Sequence, residues 1–149
     1  MGYRSEVAIG VRMNPDLVSG HEDIKTSPEM FWKLFVSECK TKHPTVFKDR
    51  DGWLNMKVID DKYTLRMHEY EVKWYPDFDE IKAFEGIIPI AEEYNEQHKS
   101  EIFDCAFVRI GEESDDVDCR YVGNGWELYD AHTSIAGDLT DEESNDEQS

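Results

Sequence analysis

Positive charge is scarce in this chain: 16 lysines and arginines stand against 34 aspartates and glutamates, a formal net charge of −18 over 149 residues. A surface so acidic excludes nucleic acid as a direct ligand, because phosphate contacts need a basic face. Cysteine is scarce as well. Cys39, Cys105 and Cys119 form neither a CxxC pair nor an even-numbered framework, which excludes a disulfide scaffold and leaves reduced thiols. Cys105 and Cys119 lie in apolar alternating segments and are expected in the core. No run of about 18 apolar residues is present, so no membrane-crossing helix is expected. The opening MGYRSEVAIG lacks the basic and apolar regions of a secretory signal, and Gly2 begins no complete myristoylation signal. A cytosolic protein follows. Walker, Rossmann, GxSxG and HExxH patterns are all missing, and with them the usual pointers to an enzyme.

What the chain does hold is aromatic: four Trp, seven Tyr and seven Phe. Acidic disordered chains are poor in such residues, so the composition describes a folded body with a negative surface. The last twelve residues, 138–149, carry six acids, no base and almost no apolar side chain. They are expected to be a disordered tail behind a single domain spanning 1–137, and without them the charge is still −12.

Periodicity supplies the elements. Ser5, Val7, Ile9 and Val11 alternate with Glu6, Ala8 and Gly10, the period of a strand with one buried face. A polar connection from Asn14 to Lys25 ends at Ser27-Pro28, a cap followed by proline at the first helical position. The helix from Pro28 to about Lys42 presents Phe31, Leu34, Phe35 and Cys39 as its apolar stripe, widened by Trp32 and Val36, and Pro44 stops it. Leu54, Met56 and Val58 read as a strand. Asp60-Asp61-Lys62 turns the chain into an extended run from Tyr63 to Tyr75, where a change of parity predicts a β-bulge near His68-Glu69. Asp77 and Glu80 are expected to cap a second helix with the stripe Ile81, Phe84, Ile88 and Ala91, kinked near Gly86 to Ile88 by Pro89. Residues 102–110 read as a central strand apolar on both faces, Val117, Cys119 and Tyr121 as its partner, and Trp126 to Tyr129 as a last short strand. The order β-α-β-β-α-β with one or two further strands predicts an α+β, ferredoxin-like sandwich, an antiparallel sheet covered by two helices.

Among polar clusters, residues 112–118 gather five carboxylates in seven positions. No glycine occupies the sharp-turn position of a calcium loop and no glutamate closes one, and Asp49-Arg50-Asp51-Gly52 holds only a fragment of that pattern. The histidines lie without ligand partners at zinc spacing. No metal and no cofactor are assigned. The sharper signal is distributed charge: Glu85, Glu92, Glu93 and Glu96 lie largely off the second helix's apolar stripe, and Glu69 and Glu71 share one side of a strand. With Glu112, Glu113, Asp115, Asp116 and Asp118 they form an extended negative surface like a nucleic-acid backbone. Trp53 and Trp126, in polar surroundings, are candidate anchors for a partner.

Three short patterns, Tyr3-Arg4-Ser5-Glu6-Val7, Val72-Lys73-Trp74-Tyr75 before a helix, and Phe107-Val108-Arg109-Ile110-Gly111-Glu112 before an acidic turn, resemble small acidic proteins of tailed bacteriophages. The resemblance implies action in the bacterial host cytoplasm, where such proteins bind and block host enzymes. Combined with the charge, the expectation is a non-enzymatic inhibitor of a basic, nucleic-acid-binding host or defence protein that works by DNA-like mimicry. The alternative is a phage domain that assembles with itself or another phage protein, its acidity serving solubility.

Overall fold

The computed structural model describes residues 4–47, 55–74, 79–113, 115–131 and 135–139. The architecture is α+β. A five-stranded sheet takes the order β2-β3-β1-β4-β5 with all neighbours antiparallel, from β1 (Ser5–Met13), β2 (Lys57–Ile59), β3 (Thr64–Val72), β4 (Phe103–Ile110) and β5 (Val117–Val122). The helices are α1 (Pro15–Ser19), α2 (Pro28–Lys42), α3 (Asp79–Glu85) and α4 (Ile87–His98), and a separate ribbon pairs β6 (Asp130–Ala131) with β7 (Ile135–Ala136).

Local chemistry sets the helix ends. The Ser27 hydroxyl accepts from the Met30 N–H at 3.2 Å, satisfying one of the donors that a first helical turn leaves unpaired. Lys42 closes on Glu38 at 2.9 Å one turn earlier. The buried side of α2 is Phe31, Trp32, Phe35, Val36 and Cys39. Leu34, expected in this stripe, is 52% exposed: at 3.6 residues per turn it lies about 130° from the stripe's centre, which Trp32 and Val36 pull round. The expected break in the second helix is present, with α3 ending at Glu85 and α4 beginning at Ile87. Its stripe is buried as read, in Ile81, Phe84, Ile88 and Ala91, while the proposed Asp77 cap lies outside the described residues. The connection after β1, read as plain loop, carries α1, whose Asn14 side chain accepts from the Asp16 N–H at 3.1 Å.

Two cores flank the sheet. On one face Val7, Ile9 and Val11 of β1, Leu65 and Met67 of β3, and Phe103, Cys105 and Phe107 of β4 meet the helices. Phe35 and Phe103 are in ring contact at 4.2 Å, with Tyr94 edge-on to both. On the other face Ala8, Ala106 and Val108 are covered by Leu128, Tyr129, Ile135 and Leu139. The sequence assigned one buried face to β1, and it has two. Gly10 makes the second cover possible, since a Cβ there would lie 2.6 Å from Leu139 Cδ1 and 3.1 Å from Tyr129 Cε2.

Three further expectations shift. The bulge falls slightly later than His68-Glu69: Val7 pairs with Glu69 but Ser5 with Val72, so Tyr70 and Glu71 face a single residue, and Glu71 takes φ 57°. The extra residue returns Val72 to the core. Trp126 to Tyr129 is no strand. Residues 125–127 form a 3₁₀ turn seated on the Cys105 backbone, and Leu128 and Tyr129 are both buried, a consecutive pair that a one-faced strand does not supply. Finally Leu139, placed in the tail by composition, is fully buried, and Asp138 lies 3.5 Å from Arg12; residues 140–149 lie outside the described residues.

The two leucines that composition ranks wrongly give a direct check. Leu139→Ala is expected to cost about 2–5 kcal/mol through lost burial and a cavity, and Leu34→Ala under about 0.5 kcal/mol. Urea-unfolding midpoints with unchanged slopes measure both.

Candidate functional site

Of the acidic residues singled out, the structure gathers one group and separates the rest. Glu92 of α4 forms an ion pair with Arg120 of β5, which ties the helix to the edge of the sheet. Glu96 is exposed one helical turn on from Glu92, and Glu93, also exposed, turns toward the α2 side of α4. Two residues along β5 from Arg120 comes Asp118, about 6–7 Å away by strand geometry, and beyond it the hairpin loop of Glu112, Glu113, Asp115 and Asp116. Between Glu92 and Arg120 the chain carries ten acids and three bases.

Part of this acidity is internal architecture. The Arg109 guanidinium donates to Asp116 through Nη1 and Nη2 at 3.2 and 2.6 Å, to Asp118 through Nε and Nη2 at 3.0 and 2.7 Å, and to the Ser5 hydroxyl at 3.1 Å. All five of its N–H donors are engaged. The two carboxylates hold the guanidinium firmly protonated, the Asp116 hydrogen bonds being the largest cause. Asp116 and Asp118 therefore clamp the hairpin, leaving one net negative charge for the trio. Glu112 is similarly engaged, accepting from the Arg4 N–H at 3.0 Å.

Other candidates fall elsewhere. Glu85 is half-buried and accepts from Trp74 Nε1 at 3.1 Å, a packing role rather than a surface one. Glu69 and Glu71 are both exposed, but the bulge interrupts the alternation that was to align them, and the Glu71 carbonyl accepts from Arg4 at 3.3 Å. Trp126 is 55% exposed, on a turn anchored by Asp104 at the opposite end of β4 from the acidic loop. Trp53 lies outside the described residues.

The thiols divide differently from expectation. Cys39 and Cys105 are buried, and Cys119, on the edge strand β5, is exposed among the described residues. Burial pushes the Cys39 thiol up to about 12, with Glu38 adding to the effect, and burial likewise raises Cys105. Neither is poised as a nucleophile.

The sequence missed the counterions and one buried pair. Glu6 accepts from His68 Nε2 at 2.7 Å and from the Ile135 N–H at 3.3 Å, pinning the C-terminal segment over the sheet. No local spacing signals it, since the partners lie 62 and 129 residues away. A groove of about 420 Å³ between residues 23–26, α2 and α4 is lined by Phe31, Leu34, Glu38, Glu93, Tyr94 and His98. Burial and the hydrogen bond to Glu38, at 3.0 Å, keep the Tyr94 hydroxyl protonated. Among the described residues no group of three or more His, Cys, Asp or Glu is placed to hold a metal ion, and no helix is long and apolar enough to cross a membrane.

Comparison with protein-family models, with curated proteins and with solved structures yields no match.

Native protein is expected to react with a thiol reagent at Cys119 alone, and unfolded protein at all three cysteines; absorbance titration counts them. The Cys39 thiol also sets an alkaline limit. Below its ordinary value of 9.0 it is protonated whether the chain is folded or not, so its contribution is intact; from there to about 12 only the unfolded chain ionises, and stability falls as pH rises. Cys39→Val is expected to flatten that decline in unfolding experiments run between pH 8 and pH 11 or so.

Proposed function

We propose that this chain is a non-enzymatic acidic binding protein of phage origin. It acts in a bacterial cytoplasm by occupying the basic nucleic-acid groove of a host or defence protein. The observation that carries the reading is the acid-rich rim along α4, β5 and the hairpin loop. There Glu96 and Asp115 face solvent, with Glu93 exposed on the α2 side of α4, while Arg109 and Arg120 are already held by Asp116, Asp118 and Glu92. A rim with both arginines engaged in this way offers a cationic groove a set of carboxylates on a rigid frame. Such a charge pattern accelerates encounter with a basic partner and makes binding sensitive to salt. The resemblance of three short sequence patterns to small acidic phage proteins is what suggests the cellular setting.

The fold we read as a ferredoxin-like sandwich carrying β5 as an added edge strand. Each helical crossover skips one strand, β3 lying between β1 and β2, and β1 between β3 and β4.

The decisive residues differ from a simple choice of the most acidic positions. Reversing both Glu93 and Glu96 to lysine is expected to weaken partner binding at least about tenfold, two surface charges each contributing near the upper range for steered contacts. Removing residues 140–149 is expected to leave affinity within about twofold. Capture of a nucleic-acid-binding protein from bacterial lysate, lost as sodium chloride rises from about 50 to about 500 mM and competed by duplex DNA, is the supporting result. Retention unaffected by salt and DNA overturns the mimicry reading.

A further inference from the structure

The two edges of the sheet are unequal. β2 is three residues long, whereas β5 runs for six, without proline, and among the described residues pairs only with β4. Proteins generally blunt an edge of that length, because its outer N–H and C=O groups are a template for another strand.

The direction of those groups follows from one hydrogen bond. The Gly111 N–H donates to the Asp116 carbonyl at 2.8 Å, making these opposite residues a hydrogen-bonded pair. In an antiparallel ladder such pairs alternate with non-bonded ones. In the β4–β5 register the next bonded pairs are Arg109 with Asp118 and Phe107 with Arg120. The backbone of Asp118 and Arg120 thus faces β4, and that of Val117, Cys119 and Tyr121 faces outward.

We propose that a second copy of this chain docks antiparallel on β5, about a two-fold axis through Cys119, joining two five-stranded sheets into one of ten strands. The occupant is identified by self-complementarity. Outward groups meet outward groups only when the pairing centres on a residue of β5 itself. Centring on Asp118 or on Arg120 sets like charges face to face, a destabilising arrangement. Centring on Cys119 sets Asp118 opposite the partner's Arg120, and Arg120 opposite the partner's Asp118. Both fall at non-hydrogen-bonded sites, where opposed Cα atoms approach to about 4.5 Å and side chains interact most. Val117, 38% exposed, then lies against the partner's Tyr121 on the opposite face. Asp118 and Arg120 keep open sides for this contact, their side chains being 62% and 48% exposed. The contact also extends two ion pairs already present, giving a line of alternating charge from Arg109 through Asp118 to the partner's Arg120 and the partner's Glu92. This is an isologous interface, in which one patch serves both subunits, and it is independent of any charge mimicry.

Backbone parity makes the test specific. Proline at position 119 removes only an outward N–H, which β4 does not use. Sedimentation equilibrium from about 5 to about 500 µM is expected to find the full-length protein and Cys119→Ser dimeric, and Cys119→Pro at least about tenfold weaker with unchanged circular dichroism, two ladder bonds being lost. Charge exchange provides a second arm that does not depend on proline being tolerated. Asp118→Arg and Arg120→Asp are each expected to be monomeric alone and to form a one-to-one heterodimer when mixed, because the mixture restores opposite charges at both sites. Oxidation with diamide is expected to link the full-length protein through Cys119, the Cα separation of a bonded pair, about 5.5 Å, lying within disulfide reach. A monomer throughout the concentration range, a Cys119→Pro dimer as tight as the parent, or a mixture that stays monomeric overturns the proposal.

Discussion

Everything in this fold depends on β1 being buried on both faces. A strand in the middle of a sheet with apolar residues on each side needs two covers, and a chain of this length supplies them from opposite ends of its sequence. The helices close one face around Phe35, Phe103 and Tyr94. Leu128, Tyr129, Ile135 and Leu139 close the other, over a floor of Ala8, Gly10 and Ala106 that is low enough for Tyr129 and Leu139 to sit directly on the backbone. Glu6 joins the second cover to the sheet by accepting from both His68 and the Ile135 N–H. A carboxylate so placed stabilises only while each of its partners is present, because an unpaired buried charge is costly.

The negative charge of the chain has two physical roles that composition merges. Some carboxylates complete the framework: Asp116 and Asp118 saturate Arg109, Glu85 receives the Trp74 indole, and Glu112 receives the Arg4 amide. Their charge is largely answered locally. Others, including Glu93, Glu96 and Asp115, stand in solvent, and Glu96 and Asp115 make the potential around one rim more negative. The two arginines there, Arg109 and Arg120, are held inside ion pairs, so acids outnumber open cations along the rim. Its central strand, β5, combines that acidity with an unpaired ladder, so one edge of the molecule carries both its charge and its capacity for strand addition.

Much of the secondary structure was legible because its signals are local. Ser27-Pro28 marks a helix start by satisfying a donor within three residues, and Pro89 forces a break by removing a donor within one turn. The apolar alternation of residues 103–108 marks a doubly buried strand for the same reason: period reports faces directly. Where the reading failed, the deciding contact was distant. Leu34 matches the helical period, yet α2 settles on the sheet through a stripe rotated away from it. Cys119 alternates like a core residue, and only the sheet order makes its strand an edge. Leu139 sits next to a run of acids, and only Gly10, far away in sequence, creates the place that buries it.

The candidate site divides along the same line. Composition and periodicity by themselves determined that the chain folds, that its body is strongly acidic, and that α4 and the 112–118 segment carry a large share of the acids, because charge and period are properties of consecutive residues. Only the tertiary structure decided which acids are counterbalanced, that Glu92 meets Arg120, that Glu69 and Glu71 are parted by a bulge, and which backbone groups of β5 face outward. Those outcomes follow from strand register, and a shift of one residue reverses every face. Register is chosen by the packing of the whole sheet, which no single segment contains.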